Sequence, residues 1–140
     1  MKLQGWPLDH IGIAVESIDV GKKFYETLGF ELSHVEIVPT ESVKVGFMAL
    51  ANGGNIELLE PTSEQSAVAK FIAKRGPGIH HICFRVQNLA QILADLKKQG
   101  VQLINSEPVP GAHSCQVAFV HPKATGGVLI ELSEPRGDKK

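Results

Sequence analysis

The chain has 140 residues, 43% of them hydrophobic, enough for one ordinary domain or for two small modules sharing a core. With 14 Lys+Arg against 15 Asp+Glu and a formal net charge of −1, it carries no general field to draw it to nucleic acid or to an anionic membrane. Cys83 and Cys115 lack CxxC spacing, and there is neither a signal-like start nor an apolar run of the roughly 18 residues a membrane span needs, so a soluble, cytoplasmic protein without a disulfide framework is expected.

In chain order, residues 7 to 15 alternate as a strand, His10, Gly12 and Ala14 on one face and Ile11, Ile13 and Val15 on the other. Ser17 is placed as the N-cap of a helix whose apolar positions Val20, Phe24 and Leu28 follow helical spacing, and Gly29 closes it. Strands over Phe30 to Val38 and Val43 to Leu50 flank the turn Pro39 to Ser42. Asn52-Gly53-Gly54-Asn55 then reads as a hairpin leading into Ile56 to Glu60, which Pro61 ends. Between Thr62 and Pro77 lies a linker with an amphipathic helix, Val68, Phe71 and Ile72 on its apolar side and Lys70, Lys74 and Arg75 on its polar side.

The pattern then recurs. A strand from Ile79 to Val86 puts His81, Cys83 and Arg85 on one face, and a helix around Leu89, Ile92, Leu93 and Leu96 ends at Gly100. Strands follow near Val101 to Ile104 and Gln116 to Val120, a turn at Thr125-Gly126-Gly127, and a last strand over Val128 to Ser133. Pro135 to Lys140 reads as a polar tail. His10 and His81 are 71 positions apart, as are Gly29 and Gly100, and Glu57 and Glu131 are 74 apart. The drift falls in the hairpin region, where insertions cost little. Two copies of a strand-helix-three-strand unit predict an α+β fold: two βαβββ modules, about 7–61 and 78–134 with a linker helix at 62–77, forming a curved mixed β-sheet.

Each copy offers a histidine on its first strand and a glutamate on its last. A lone strand histidine is usually a packing residue and a lone strand glutamate is often at a wet edge. Both glutamates, however, sit inside apolar runs, Ile56-Glu57-Leu58-Leu59 and Val128-Leu129-Ile130-Glu131-Leu132, where a carboxylate needs a strong partner. Their joint occurrence at equivalent places points to His10, Glu57, His81 and Glu131 as ligands of one divalent transition ion, which cobalt, nickel, zinc or manganese would satisfy. Alternation turns His80 to the opposite face from His81 and leaves it at most a supporting role. Cys83 shares the face of His81.

These paired modules, with their His and Glu positions, resemble the vicinal oxygen chelate (glyoxalase/bleomycin resistance/dioxygenase) superfamily. Within it the chain is similar to the methylmalonyl-CoA epimerases over residues 8 to 134. That narrower likeness rests on Ile56-Glu57-Leu58-Leu59-Glu60-Pro61, on Ala69-Lys70-Phe71-Ile72 followed by Gly78-Ile79-His80-His81-Ile82, and on Phe119-Val120-His121-Pro122-Lys123 running through Gly126-Gly127-Val128 to Leu132.

The resemblance implies that His10, Glu57, His81 and Glu131 bind a divalent ion, cobalt above the others, in a homodimer. It also implies that methylmalonyl-CoA loses and regains its α-proton through an enolate, with Glu131 as one acid/base. Glu57 resembles the glyoxalase I ligand, some epimerases having Gln there. The glutamate that some epimerases carry on the third strand is missing, for that strand reads Val43-Lys44-Val45-Gly46-Phe47-Met48. Glu57, Glu41 and His121 stay open as the second acid/base. Lys70, Lys74, Arg75 and Lys123 are candidate contacts for coenzyme A phosphates, and Gly111-Ala112-His113-Ser114 is a candidate closing loop. A glyoxalase I type lactoylglutathione lyase, and a non-enzymatic small-molecule binder, are the rival expectations.

Overall fold

The computed structural model describes residues 5–136. Contacts sort the chain into two compact units, one from His10 to His80 and the other from His81 onward with the segment ending at Asp9. The two βαβββ modules of the sequence repeat are both present, and the α+β class holds.

The first module runs β1 (Leu8–Ala14), α1 (Ile18–Thr27), β2 (Leu32–Val38), β3 (Val43–Ala49) and β4 (Asn55–Pro61), with strand order β2-β3-β4-β1. β1 lies parallel to β4, the consequence of a helical crossover, while the β2–β3 and β3–β4 pairs are antiparallel. One face of this sheet meets α1 through Val15, Ile18, Met48 and Leu58, helped by Ile13, Tyr25 and Leu32. Ser17 caps α1 as expected, its hydroxyl accepting from Val20 N–H at 3.4 Å. The Val20, Phe24 and Leu28 stripe does not enter the core: these side chains are 65%, 64% and 62% exposed. The buried side of α1 passes through Gly21, where a Cβ would meet Val15 Cγ1 at 2.7 Å. The helix packs by close backbone approach at Gly21, while Val20, Phe24 and Leu28 face outward. After β4 comes α2 (Ala67–Arg75), capped by the Ser66 hydroxyl, which accepts from Val68 and Ala69 N–H.

The second module runs β5 (Gly78–Arg85), α3 (Leu89–Lys98), β6 (Val109–Pro110), β7 (Gln116–Val120) and β8 (Ile130–Glu134), in the order β5-β8-β7-β6. Leu89, Ile92 and Leu93 of α3 are buried against Val86, Ala118, Val120 and Leu132. β5 and β8 are parallel, repeating β1 and β4.

Two expectations fail here. Residues 101–104 form no strand, only an isolated bridge from Leu103 to Val120, and the short β6 begins at Val109 instead. Four residues are too short a run for alternation to show where pairing starts. The last strand begins at Ile130, not Val128, because Thr125 and Val128 bond to each other and hold the preceding turn. The part of the expected tail at 137–140 lies outside the described residues.

One repeated device went unread in the sequence. Glu60, at the end of β4, accepts from Ile18 N–H at 2.8 Å, and Glu134, 74 positions on, accepts from Asn88 and Leu89 N–H, both at 3.0 Å. In each module the last strand returns a carboxylate to the N-terminus of the module's own helix, where orphan amides and the helix dipole favour negative charge.

Candidate metal and catalytic site

In the first module the residue two after His10, Gly12, pairs with Glu57, so both functional side chains leave the same face of adjacent strands. His10 Nδ1 lies 3.0 Å from Glu57 Oε2. In the second module the residue two after His81, Cys83, pairs with Glu131, and His81 Nε2 lies 2.9 Å from Glu131 Oε1. All four side chains are buried, between 5% and 8% exposed. The two pairs use different ring nitrogens, Nδ1 in His10 and Nε2 in His81.

The chemistry of these donors fits a divalent ion. Two donor atoms bound at about 2.1 Å and at a right angle to each other stand about 3 Å apart, which is the spacing in both pairs. A plain histidine–carboxylate contact has the same length. What distinguishes these is that one buried nitrogen–oxygen pair recurs at one register in each module, a donor mix that cobalt, nickel, zinc and manganese all accept.

A phenylalanine faces each glutamate across the next strand: Phe47 on β3 is opposite Glu57, and Phe119 on β7 is opposite Glu131. The His81 ring meets Phe119 edge-on at 5.7 Å. Beyond Phe47 lies His34 of β2, directly across from it and stacked on its ring at 4.5 Å and 15°. The sequence reading missed this layer, although Gly46-Phe47 and Ala118-Phe119 already pair a small residue with phenylalanine at similar places in the two copies.

The other expected residues are scattered. Cys83 is fully buried beside Glu131, its thiol contacting the Phe84 carbonyl at 3.7 Å, and no disulfide joins it to Cys115. His80 packs edge-on against Phe71 of α2 at 5.0 Å, on the face opposite His81 as alternation requires. His121 Nδ1 accepts from Lys123 N–H at 3.0 Å and caps a short 3-10 turn, which commits its lone pair to structure. Glu41 sits half-buried in the turn before β3. Lys70, Lys74, Arg75 and Lys123 are exposed, and Arg75 lies 5.8 Å over the Phe71 ring. In the 111–114 loop, His113 and Ser114 both take left-handed conformations. A recess of about 510 Å³ opens at the ends of β2 and β3, lined in part by Leu28, Phe30, Ser33, Ala49 and Leu50.

Residues 9–119 match the family model of the glyoxalase/bleomycin resistance protein/dioxygenase superfamily. The chain belongs to this superfamily. Among its members, the Bacillus subtilis protein YqjC, itself uncharacterized, is 45% identical over 94% of each chain. The ethylmalonyl-CoA/methylmalonyl-CoA epimerase of Cereibacter sphaeroides is 39% identical over 91% of this chain and 96% of its own. The structure of a Streptomyces coelicolor methylmalonyl-CoA epimerase variant with 2-nitronate-propionyl-CoA superposes with a TM-score of 0.87 at 37% identity, covering 96% of this chain and 98% of the other. The repeat-based likeness to this superfamily and to its epimerases is thus borne out. No described helix is long and apolar enough to cross a membrane.

Proposed function

We propose that this protein is an isomerase that interconverts the R and S forms of methylmalonyl-CoA, working as one domain of two modules around a divalent ion held by His10, Glu57, His81 and Glu131. The observation that carries the reading is the buried His–Glu pair repeated in both modules, in a chain whose relatives over nearly its whole length are epimerases of this substrate class. When bound, the ion supplies a positive charge where the substrate's carboxylate and thioester oxygens gather electron density.

The chain's own residues do the rest. Burial of the four ligands excludes water from around the carbanion-forming carbon, and the parallel β1/β4 and β5/β8 registers fix where each carboxylate stands. Glu131 is assigned as one acid/base, removing or returning the α-proton; Glu57, its counterpart by symmetry, is the first candidate for the other, beside Glu41 and His121. Inversion needs groups on two faces of the carbon, because a single base would return the proton to the side it left. Cobalt is the ion the family resemblance favours. The exposed Val20, Phe24 and Leu28 stripe supports a homodimer, since three large apolar side chains on one helix face form an association surface. Lys70, Lys74, Arg75 and Lys123 are exposed cations suited to coenzyme A phosphates.

The test is metal analysis together with α-proton exchange on methylmalonyl-CoA in deuterated water, before and after chelation and cobalt return. Metal-dependent exchange with interconversion is expected. Turnover of a glutathione hemithioacetal without exchange would instead favour the lyase, and tight ligand binding without metal a simple binder.

A further inference from the structure

We propose that the recess at the head of β2 is a binding site for a small amphipathic cation, an ammonium group on an apolar stem; this goes beyond the epimerase reading and does not depend on it. The recess, about 510 Å³, lies wholly within the first module and has the size of an ordinary ligand cleft. It exists because two strands part early. β2 and β3 pair only as far as Leu32 and Met48, while β3 runs on beside β4 to the pair of Ala49 with Asn55. The short side chains of Ala49 and Ala51 leave the resulting gap unfilled, and Leu28, Phe30 and Leu50 give it apolar walls. Phe30 is held edge-on by Tyr25 at 6.4 Å.

The second module shows what closing the same place takes. Counted by the repeat, Glu31 corresponds to Gln102, 71 positions on, and Ala49 to His121, the same 72 positions that separate Phe47 from Phe119. His121 N–H donates to the Gln102 carbonyl at 3.1 Å, and Leu103 bridges to Val120, so that segment stays against its strand. Among the described residues no such bond joins Ala49 to Glu31. The helix ends themselves are built alike: Phe30 N–H donates to the Tyr25 carbonyl as Val101 N–H does to that of Leu96, both at 3.0 Å. The opening is therefore local to the recess and does not come from a different exit of the chain from its helix.

Charge selects the occupant. α3 ends on Lys97 and Lys98, cations that offset the negative end of its helix dipole, whereas α1 has no basic residue in its last turn. The counterparts of those lysines are Glu26 and Thr27. Glu26 is matched by Lys22 at 3.7 Å, but Glu31, exposed where it lines the recess, has no cationic partner among the described residues. A neutral apolar molecule in the recess leaves that carboxylate unmatched, and an anion meets both it and the helix end with like charge. A cation on an apolar stem satisfies the walls and the rim together.

The experiment titrates the wild-type protein, Glu31→Gln and Ala49→Leu with hexylammonium, hexanol and hexanoate, following backbone amide shifts by NMR, with melting temperature as a folding control. In the wild type, hexylammonium moves the amides of residues 28–33 and 49–51 and binds about threefold to tenfold tighter than hexanol, the range of a charge contact at a partly exposed helix end, and hexanoate binds weakest. Glu31→Gln removes most of the preference for the ammonium and leaves hexanol binding within about twofold. Ala49→Leu fills the gap and weakens hexylammonium and hexanol alike. Hexanol binding as tightly as hexylammonium, an ammonium preference unchanged in Glu31→Gln, shifts centred elsewhere, or no saturable binding of any of the three would overturn the inference. None of these outcomes touches the α-proton exchange that tests the epimerase reading.

Discussion

In the second module the backbone of Phe119, opposite Glu131, is covered by a loop: Asn105 Oδ1 accepts from Phe119 N–H at 2.8 Å, and Ile104 and Asn105 N–H donate to its carbonyl. In the first module the equivalent Phe47, opposite Glu57, is covered by a full strand, β2, which lays His34 on its ring. The ligand pairs are duplicated; the edges beside them are not. An ion is indifferent to which module supplies each donor, so duplication keeps the ligands alike. Inversion of a carbon needs two unlike approaches, and the edge strands are where the copies are free to differ. The same contrast recurs on the helices. Counting 71 positions on from α1, Val20, Phe24 and Leu28 become Gln91, Asp95 and Gln99, while Gly21 becomes the buried Ile92.

The largest effect separates the two glutamates. If Glu131 moves a proton and Glu57 acts chiefly as a donor, Glu131→Gln lowers epimerisation by about a thousandfold, whereas Glu57→Gln, which keeps a side-chain oxygen, stays within about tenfold. Steady-state rates on metal-loaded protein measure both. Equal losses would make the two carboxylates interchangeable and support Glu57 as the second acid/base.

The helices give the next contrast. Leu93→Ala empties a fully packed site under α3 and costs about 2–5 kcal/mol in denaturant unfolding. Phe24→Ala on α1 changes the folded protomer by less than about 0.5 kcal/mol. Phe24→Asp instead moves the sedimentation coefficient from dimer to monomer. A Phe24→Asp protein that sediments like the wild type would leave the α1 stripe without a partner.

How far these contrasts were legible in the sequence depends on what carried them. The four ligands could be read because a charged residue inside an apolar strand is conspicuous and the 71-residue repeat doubles the signal. The outward turn of Val20, Phe24 and Leu28 could not, since helical spacing gives a stripe without saying which side of the helix the sheet takes; Gly21, which lies against Val15, was the missed clue. His34 was invisible for a different reason. Its face depends on a bulge at Ser33, which shifts alternation by one and has no composition of its own. Glu60 and Glu134 cap helices more than 40 residues away, a pairing no local pattern contains.

A smaller effect comes from filling the close approach under α1. Gly21→Ala adds a methyl at 2.7 Å from Val15 Cγ1, a clash of roughly 1–3 kcal/mol, partly offset by about 1 kcal/mol of helix propensity. A net loss near 1 kcal/mol is expected in chemical unfolding, and a stabilised variant would mean that Val15 has room to give.

The smallest pair of changes compares the two side chains that serve the equivalent phenylalanines. Asn105→Ala removes the acceptor of Phe119 N–H and leaves that amide under the loop without it, at a cost of about 1 kcal/mol. Ser33 is exposed, so water replaces its hydroxyl at the Phe47 carbonyl and Ser33→Ala costs less than about 0.5 kcal/mol. A larger loss for Asn105→Ala than for Ser33→Ala is the expected result in chemical unfolding. Were the two variants to exchange these costs, the Phe47 carbonyl and not the Phe119 amide would be the group that water cannot reach.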